Sequence, residues 1–328
     1  MLNRINKLVL TFIIAATLGP ALAADRLKLG YLVKQPEETW FQTEWAYAEK
    51  AGKDLGFDVI KIGVPDGEKT MAAIDKLAAE GAKGFVICAP DPKLGSAIMD
   101  KAKSLNMRVV TVDDRLQDKM GLFMDDVPLL MMAARKIGDR QGQEMLKEMR
   151  RRGWKAAESG ALVITAEGLE TARLRTDGAI TALRVGGFSA ANIFTTPTKT
   201  NDIPGAHEAA KAFLETKKFK HWVVAGMNDN TVLGGIRATE DHGYAAEDVI
   251  GIGINGVNAV GELSKDDATG FYGSMLPSPD VHGYKSIEML YNWVAKNDEP
   301  PKFVEVTDTV LITRDNFKSE LKKKGLGK

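Results

Sequence analysis

One cysteine stands in 328 residues. A lone thiol excludes a disulfide framework and a cysteine-rich zinc site. Histidine is scarce too. The four, His207, His221, His242 and His282, show no ligand spacing, and His207-Glu208-Ala209-Ala210-Lys211 lacks the second histidine of a zincin helix. No charge of one sign dominates: 44 Lys+Arg face 44 Asp+Glu, so the basic excess of a nucleic-acid binder is missing. There is no low-complexity tract and no G-x-S-x-G nucleophile motif. Past the N-terminal region, no stretch of about 20 residues is free of charge, which excludes a later membrane-spanning helix. With 44% hydrophobic residues, the chain is an ordinary globular one, long enough for two domains at roughly 150 residues each.

The start reads as a secretory signal peptide, residues 1–23. Arg4 and Lys7 form a positive flank, Leu8 to Leu18 is apolar apart from two threonines, Gly19-Pro20 breaks the helix, and Ala21-Leu22-Ala23 has the small-x-small cleavage pattern. The expected destination lies outside the cytoplasmic membrane. Cys88 follows Phe85-Val86-Ile87, a core-strand pattern, and is expected as a buried thiol packed like a small hydrophobe.

Short β-rich runs then alternate with helical stretches. Strands are expected at 27–33, 58–62, 84–88, 108–112, 162–165, 193–195, 222–225, 249–254, 270–274 and 309–313. Helices fall between them, including a long one over 129–151 and one over 281–295. About four strand–helix units precede the long helix and about four follow it. This alternation predicts α/β architecture with parallel sheets covered on both faces, arranged as two doubly wound lobes. The helix after Pro277-Ser278-Pro279 is set off by prolines and could return to the first lobe, so the chain is expected to cross between lobes more than once.

Ligands of open α/β sheets bind beyond the carboxyl ends of the strands. Those ends carry Lys34 to Phe41, Asp91, Asp113-Asp114, Thr165 to Glu167 with Arg173 and Arg175 after them, Met227-Asn228-Asp229-Asn230, and Asn255 to Asn258. Any one of these polar residues could be a helix cap with no ligand. Their concentration at successive strand ends points to a cleft. The residue types suit a sugar: carboxylates accept hydroxyl protons, Lys and Arg donate to oxygens, and an Asn amide bridges neighbouring hydroxyls. Trp40 and Phe41 could cover the apolar face of a ring. Two enzyme leads are weaker. Gly251-Ile252-Gly253-Ile254-Asn255-Gly256 matches a dinucleotide-binding loop but lacks the acidic residue about 20 positions on. Asp113-Asp114 could be a glycosidase acid–base pair, although adjacent residues at a strand end point in different directions.

Several long runs carry a family resemblance: Leu32 to Glu38, Val64 to Lys69, Pro90 to Ser96, Gly251 to Val257 and Ser274 to Lys285. Across nearly the whole chain after residue 23, the sequence resembles the L-arabinose-binding branch of the bacterial periplasmic sugar-binding proteins of type I fold. The resemblance implies two doubly wound lobes joined by three crossings, approximately residues 24–133 with 279–307 and residues 134–278 with 308–328. It implies a monomeric receptor that hands sugar to a membrane ABC permease, with no catalysis, no cofactor and no metal. By motif it implies sugar-contacting roles for Lys34, Glu38, Trp40 and Phe41. Asp114 would bind the anomeric hydroxyl, with Asp113 nearby, and Met132 would sit near the C5 substituent. Leu169 and Thr171 would line the far wall, and Arg175 would reach the ring oxygen. Asn228 and Asn255 would bind ring hydroxyls beside Met227. The chain departs from the family pattern at Asn258, where the pattern has Asp, and at Thr39, where it has Pro. D-Galactose and D-fucose, which differ from L-arabinose only at C5, are the related ligands.

Overall fold

The computed structural model describes residues 26–166, 168–324 and 326. The proposed signal peptide lies outside the described residues. The chain begins with β1 (Lys28–Val33), α1 (Thr39–Leu55), β2 (Asp58–Gly63), α2 (Gly67–Ala79), β3 (Gly84–Cys88), α3 (Gly95–Ser104), β4 (Arg108–Val112) and β5 (Leu129–Met132). It continues through α4 (Ala134–Arg151), β6 (Ser159–Thr165), α5 (Glu170–Val185), β7 (Ile193–Pro197), α6 (Ile203–Leu214), β8 (His221–Gly226), α7 (Asp229–Asp241), β9 (Val249–Ile254), α8 (Val260–Leu263) and β10 (Phe271–Leu276). It closes with α9 (Pro279–Lys296), β11 (Phe303–Val306), β12 (Val310–Thr313) and α10 (Phe317–Lys323).

These strands form two sheets. The first has the order β11-β5-β4-β3-β1-β2 and is parallel throughout. The second has the order β12-β10-β9-β8-β6-β7, parallel except for the edge pair β10–β12. The central strands β3, β8 and β9 are buried at every position. That is the pattern of a sheet covered by helices on both faces, and it explains their unbroken apolar runs. In the first sheet, Leu32, Phe85 and Ile87 pack against Ile74 of α2 and Ile98 of α3. The opposite side chains, Tyr31, Val86 and Val110, join a cluster with Ala48 of α1 and Ile287 and Leu290 of α9. In the second, Leu162 and Val224 meet Ala210 of α6 and Ile236 of α7. Each such Val, Leu, Ile or Phe side chain contributes about 1.5–3 kcal/mol on burial.

The chain passes between the sheets three times, after β5, after β10 and after β11. The architecture is therefore the expected pair of doubly wound lobes. One element differs from expectation. The run from Leu129 is not a single helix: residues 129–132 form β5, and the helix starts only at Ala134. Ala133 has φ −69° and ψ 62°, outside the helical range. The four apolar residues Leu129 to Met132 read equally well as helix or strand locally. Pairing with β4 and β11 decides for the strand. Strand β11 itself was not foreseen, because its half-exposed pattern is that of a short edge strand.

Candidate functional site

Parallel winding puts the carboxyl ends of both sheets on facing edges, and a cleft lies between them. The first lobe supplies Lys34, Glu38, Trp40 and Phe41 from the end of β1 and the start of α1, with Asp113 and Asp114 after β4. The second supplies Leu169, Thr171 and Arg175 from around the start of α5, Met227 and Asn228 after β8, and Asn255 after β9. Gln35, Ala172 and Asn201 also line the cleft. Sequence reasoning missed these three, although Gln35 lay inside a strand-end run already noted.

Asp113 and Asp114 face different partners. Asp113 is buried, and both its oxygens are occupied: Trp40 Nε1 donates to Oδ2 at 2.9 Å and His282 Nδ1 donates to Oδ1 at 2.8 Å. An ionised carboxylate only accepts, so the His282 proton must sit on Nδ1. Burial alone would raise the Asp113 carboxyl. The bonds and charge of His282, then Trp40 and Lys34, outweigh burial and hold it below its ordinary value. Asp114 instead bridges the lobes. Its Oδ2 accepts from Lys34 Nζ at 2.5 Å, and its Oδ1 accepts from Thr171 Oγ1 at 2.6 Å. Burial opposes the Lys34 charge, but Asp114 overrides it and pushes the ammonium pKa upward. Cys88 lies buried beneath, with Sγ 3.8 Å from Asp114 Oδ2, and burial raises its thiol well above the ordinary range.

On the other wall, Arg175 is only 8% exposed. Its Nη1 donates to the Met227 carbonyl at 2.7 Å, while Nε has no protein partner among the described residues. Asn228 caps α7: its Oδ1 accepts from Thr231 N at 2.8 Å, completing a capping box, and its Nδ2 donates to Asn201 O at 3.3 Å. Two predicted residues stand apart from the wall. Met132, in β5 between β4 and β11, is buried in the core. Asn258 donates from Nδ2 to Glu38 Oε2 at 2.9 Å, a second tie between the lobes.

His282 and Glu44 support the site from behind, and sequence reasoning did not assign them. His282 had no ligand spacing; only the return of α9 against α1 brings it to Asp113. Glu44, Asp113 and His282 form the one group of buried side chains, among the described residues, close enough to hold a cation. Both Asp113 oxygens already accept protein hydrogen bonds there, from Trp40 and His282. Burial, followed by the neighbouring Asp113, pushes the Glu44 carboxyl well above its ordinary value. The three glycines of the dinucleotide-like loop serve packing. A Cβ at Gly251 would meet Ile236 at 2.5 Å, and one at Gly253 would meet Asp229 at 2.2 Å. Gly256 takes a left-handed φ of 77°.

Residues 26–320 match the family described as periplasmic binding proteins and sugar binding domain of LacI family. The chain belongs to this family. Among its members, the L-arabinose-binding periplasmic protein of Escherichia coli (strain K12) is 64% identical over 327 residues, covering 99% of each chain. The ABC transporter L-arabinose-binding periplasmic protein of Azospirillum brasilense is 48% identical over 303 residues, covering 92% of this chain and 90% of the relative. A solved periplasmic solute-binding protein from Actinobacillus succinogenes 130z, with bound D-allose, shares the fold at TM-score 0.71 and 16% identity. That match covers 90% of this chain and 100% of the other. The periplasmic binding protein fold accounts for both sheets and for the cleft between them. Among the described residues, no helix is long and apolar enough to cross a membrane.

Proposed function

We propose that this chain is a periplasmic receptor that binds L-arabinose in the cleft between its lobes and delivers it to a membrane ABC permease. One observation carries the reading: charged and amide side chains from both lobes converge on one small cleft. Lys34, Glu38 and Asp114 come from one side, and Arg175, Asn228 and Asn255 from the other. That donor and acceptor set matches a polyhydroxylated ring. The relatives that align with this chain over most of their length are named for L-arabinose and the periplasm. In the proposed assignment Trp40 and Phe41 lie beside the ring, Asp114 takes the anomeric hydroxyl and Arg175 the ring oxygen. Met132 would act only from behind the wall, through packing. The lobes are proposed as residues 24–133 with 279–307 and 134–278 with 308–328, the receptor as a monomer, and cleavage after Ala23 as its export step.

The protein performs no chemistry on the sugar. Asp113 and Asp114 do not form an acid–base pair, because each is committed to different neighbours. Calorimetry with L-arabinose, followed by NMR of the recovered sugar, tests this reading. Stoichiometric binding and unchanged sugar are expected; absence of binding, or release of a product, would overturn it. The same titration with D-galactose and D-fucose ranks the C5 variants.

A further inference from the structure

Behind the second wall of the cleft lies a buried carboxylate that touches none of the proposed sugar-facing atoms. Asp229, the first residue of α7, is 0% exposed. Its Oδ1 accepts from Ser274 Oγ of β10 at 2.5 Å, and the Ser274 oxygen accepts in turn from Gly256 N at 3.0 Å. The chain of bonds therefore ends on the turn after β9. That turn is costly in conformation: Asn255 has φ 116° and Gly256 φ 77°, and only the second is a glycine. A left-handed asparagine persists when its surroundings over-determine it. Here the surroundings are the Ser274 bond to Gly256, the Asn255 N–H to Met275 carbonyl bond at 3.0 Å, and the close packing of Gly253 on Asp229.

We infer that Asp229 is a positioning residue of the cleft: through Ser274 it locks the Asn255–Gly256 turn, and with it the direction in which Asn255 is presented to the sugar. The same carboxylate follows Asn228 in sequence and acts on the charge of Arg175, so it backs three groups of one wall. The ionised form does this best. It is the stronger acceptor for the Ser274 hydroxyl, which turns the serine lone pair towards Gly256 N–H, and it supplies the negative charge behind Arg175. Asp229 Oδ2 makes no protein hydrogen bond among the described residues. Burial pushes the Asp229 carboxyl up to about 7, although Ser274, the Gly256 and Ala259 backbone and Arg175 all pull the other way. Other titratable groups on the packed elements lie at the far ends: His207 of α6 pairs with Asp241, and His221 of β8 with Asp248. Across the cleft stand Lys34, Asp113 and Asp114.

The inference rests on the L-arabinose reading, and its test separates the two. L-Arabinose affinity is measured by calorimetry at a series of pH values from about 6 to 8, for the wild type, Asp229→Asn and Ser274→Ala, with thermal melts as the folding control. The wild type should bind more weakly as pH falls through about 7. Ser274→Ala should remain folded and lose roughly tenfold in affinity, the size of one hydrogen bond. Asp229→Asn should bind weakly at every pH and lose the pH step, a change that a purely structural role would not produce. If Asp229→Asn fails to fold, Ser274→Ala decides. Folded variants that bind as the wild type does, or a pH step that survives in Asp229→Asn, would sink the inference. A wild type that ignores L-arabinose sinks the receptor reading instead.

Discussion

Thr171 and Asp114 lie 57 positions apart in the chain and belong to different lobes, yet the Thr171 hydroxyl donates to the Asp114 carboxylate at 2.6 Å. Asp114 is thereby shared: one oxygen serves Lys34 on its own lobe and the other serves the opposite lobe. The arrangement described is a closed one, held also by the Asn258 bond to Glu38. On the proposed two-lobe clamp, a sugar touching both walls would have more contacts in this state than in an open one and would shift the equilibrium towards it.

Closure can be measured directly. Small-angle scattering should report a smaller radius of gyration with L-arabinose than without it. Thr171→Val removes the bridge to Asp114 while keeping shape, so the sugar-bound state should compact less readily and affinity should fall about 2- to 10-fold, as for one hydrogen bond. Tight binding with an unchanged scattering curve would place the site within one lobe.

Arg175 offers a test of geometry against charge. Its planar guanidinium donates to the Met227 carbonyl and keeps Nε available. Lysine retains the charge and loses the fork. Arg175→Lys and Arg175→Met should both weaken L-arabinose binding by about 1.5–3 kcal/mol, roughly 10- to 150-fold, as measured by calorimetry. Equal affinity in Arg175→Lys would show that charge alone suffices.

Asn228 has two duties that mutation can separate. Alanine deletes the α7 cap and should cost about 0.5–2 kcal/mol of stability, read as a lower melting temperature. Asn228→Asp keeps the acceptor for Thr231 N but loses the Nδ2 donor. It should melt near the wild type and still bind sugar more weakly.

Glu44 and Asp113 give opposite pH signatures. The Glu44 carboxyl is raised in the folded state, so the native protein holds a proton that the unfolded chain releases above about pH 4.3. Its contribution to stability is present below that pH and falls as pH rises towards the folded value. Asp113 is lowered, so its contribution is present above about pH 3.9 and falls as pH drops through the folded value. Denaturant unfolding across pH should show Glu44→Gln flattening the first slope and leaving the acid limb in place. An unchanged slope would mean that Glu44 is ionised in the native state.

Much of the cleft was legible locally. A strand that ends in Asp-Asp or Met-Asn-Asp places those residues at the carboxyl edge of a parallel sheet whatever the long-range order. Lys34, Asp114, Arg175, Asn228 and Asn255 were readable for that reason. Asn258 and Met132 were less so. The first is turned to Glu38 of the opposite lobe and the second into the core, and neither direction follows from position along a strand.

The sequence by itself determined the alternation of strands and helices, because hydrophobic periodicity and caps such as Asp66, Asp202 and Asn228 act within a few residues. It determined the residue types at the strand ends as well. Only the tertiary structure decided that Leu129–Met132 is a strand, since four apolar residues carry no period of their own and pairing with β4 and β11 supplies the choice. Only it decided that His282 reaches Asp113 across 169 positions, and that Thr171 reaches Asp114 across 57. A hydrogen bond needs its two atoms within about 3 Å, and for groups so far apart in the chain that distance is set by the packing of whole helices and lobes.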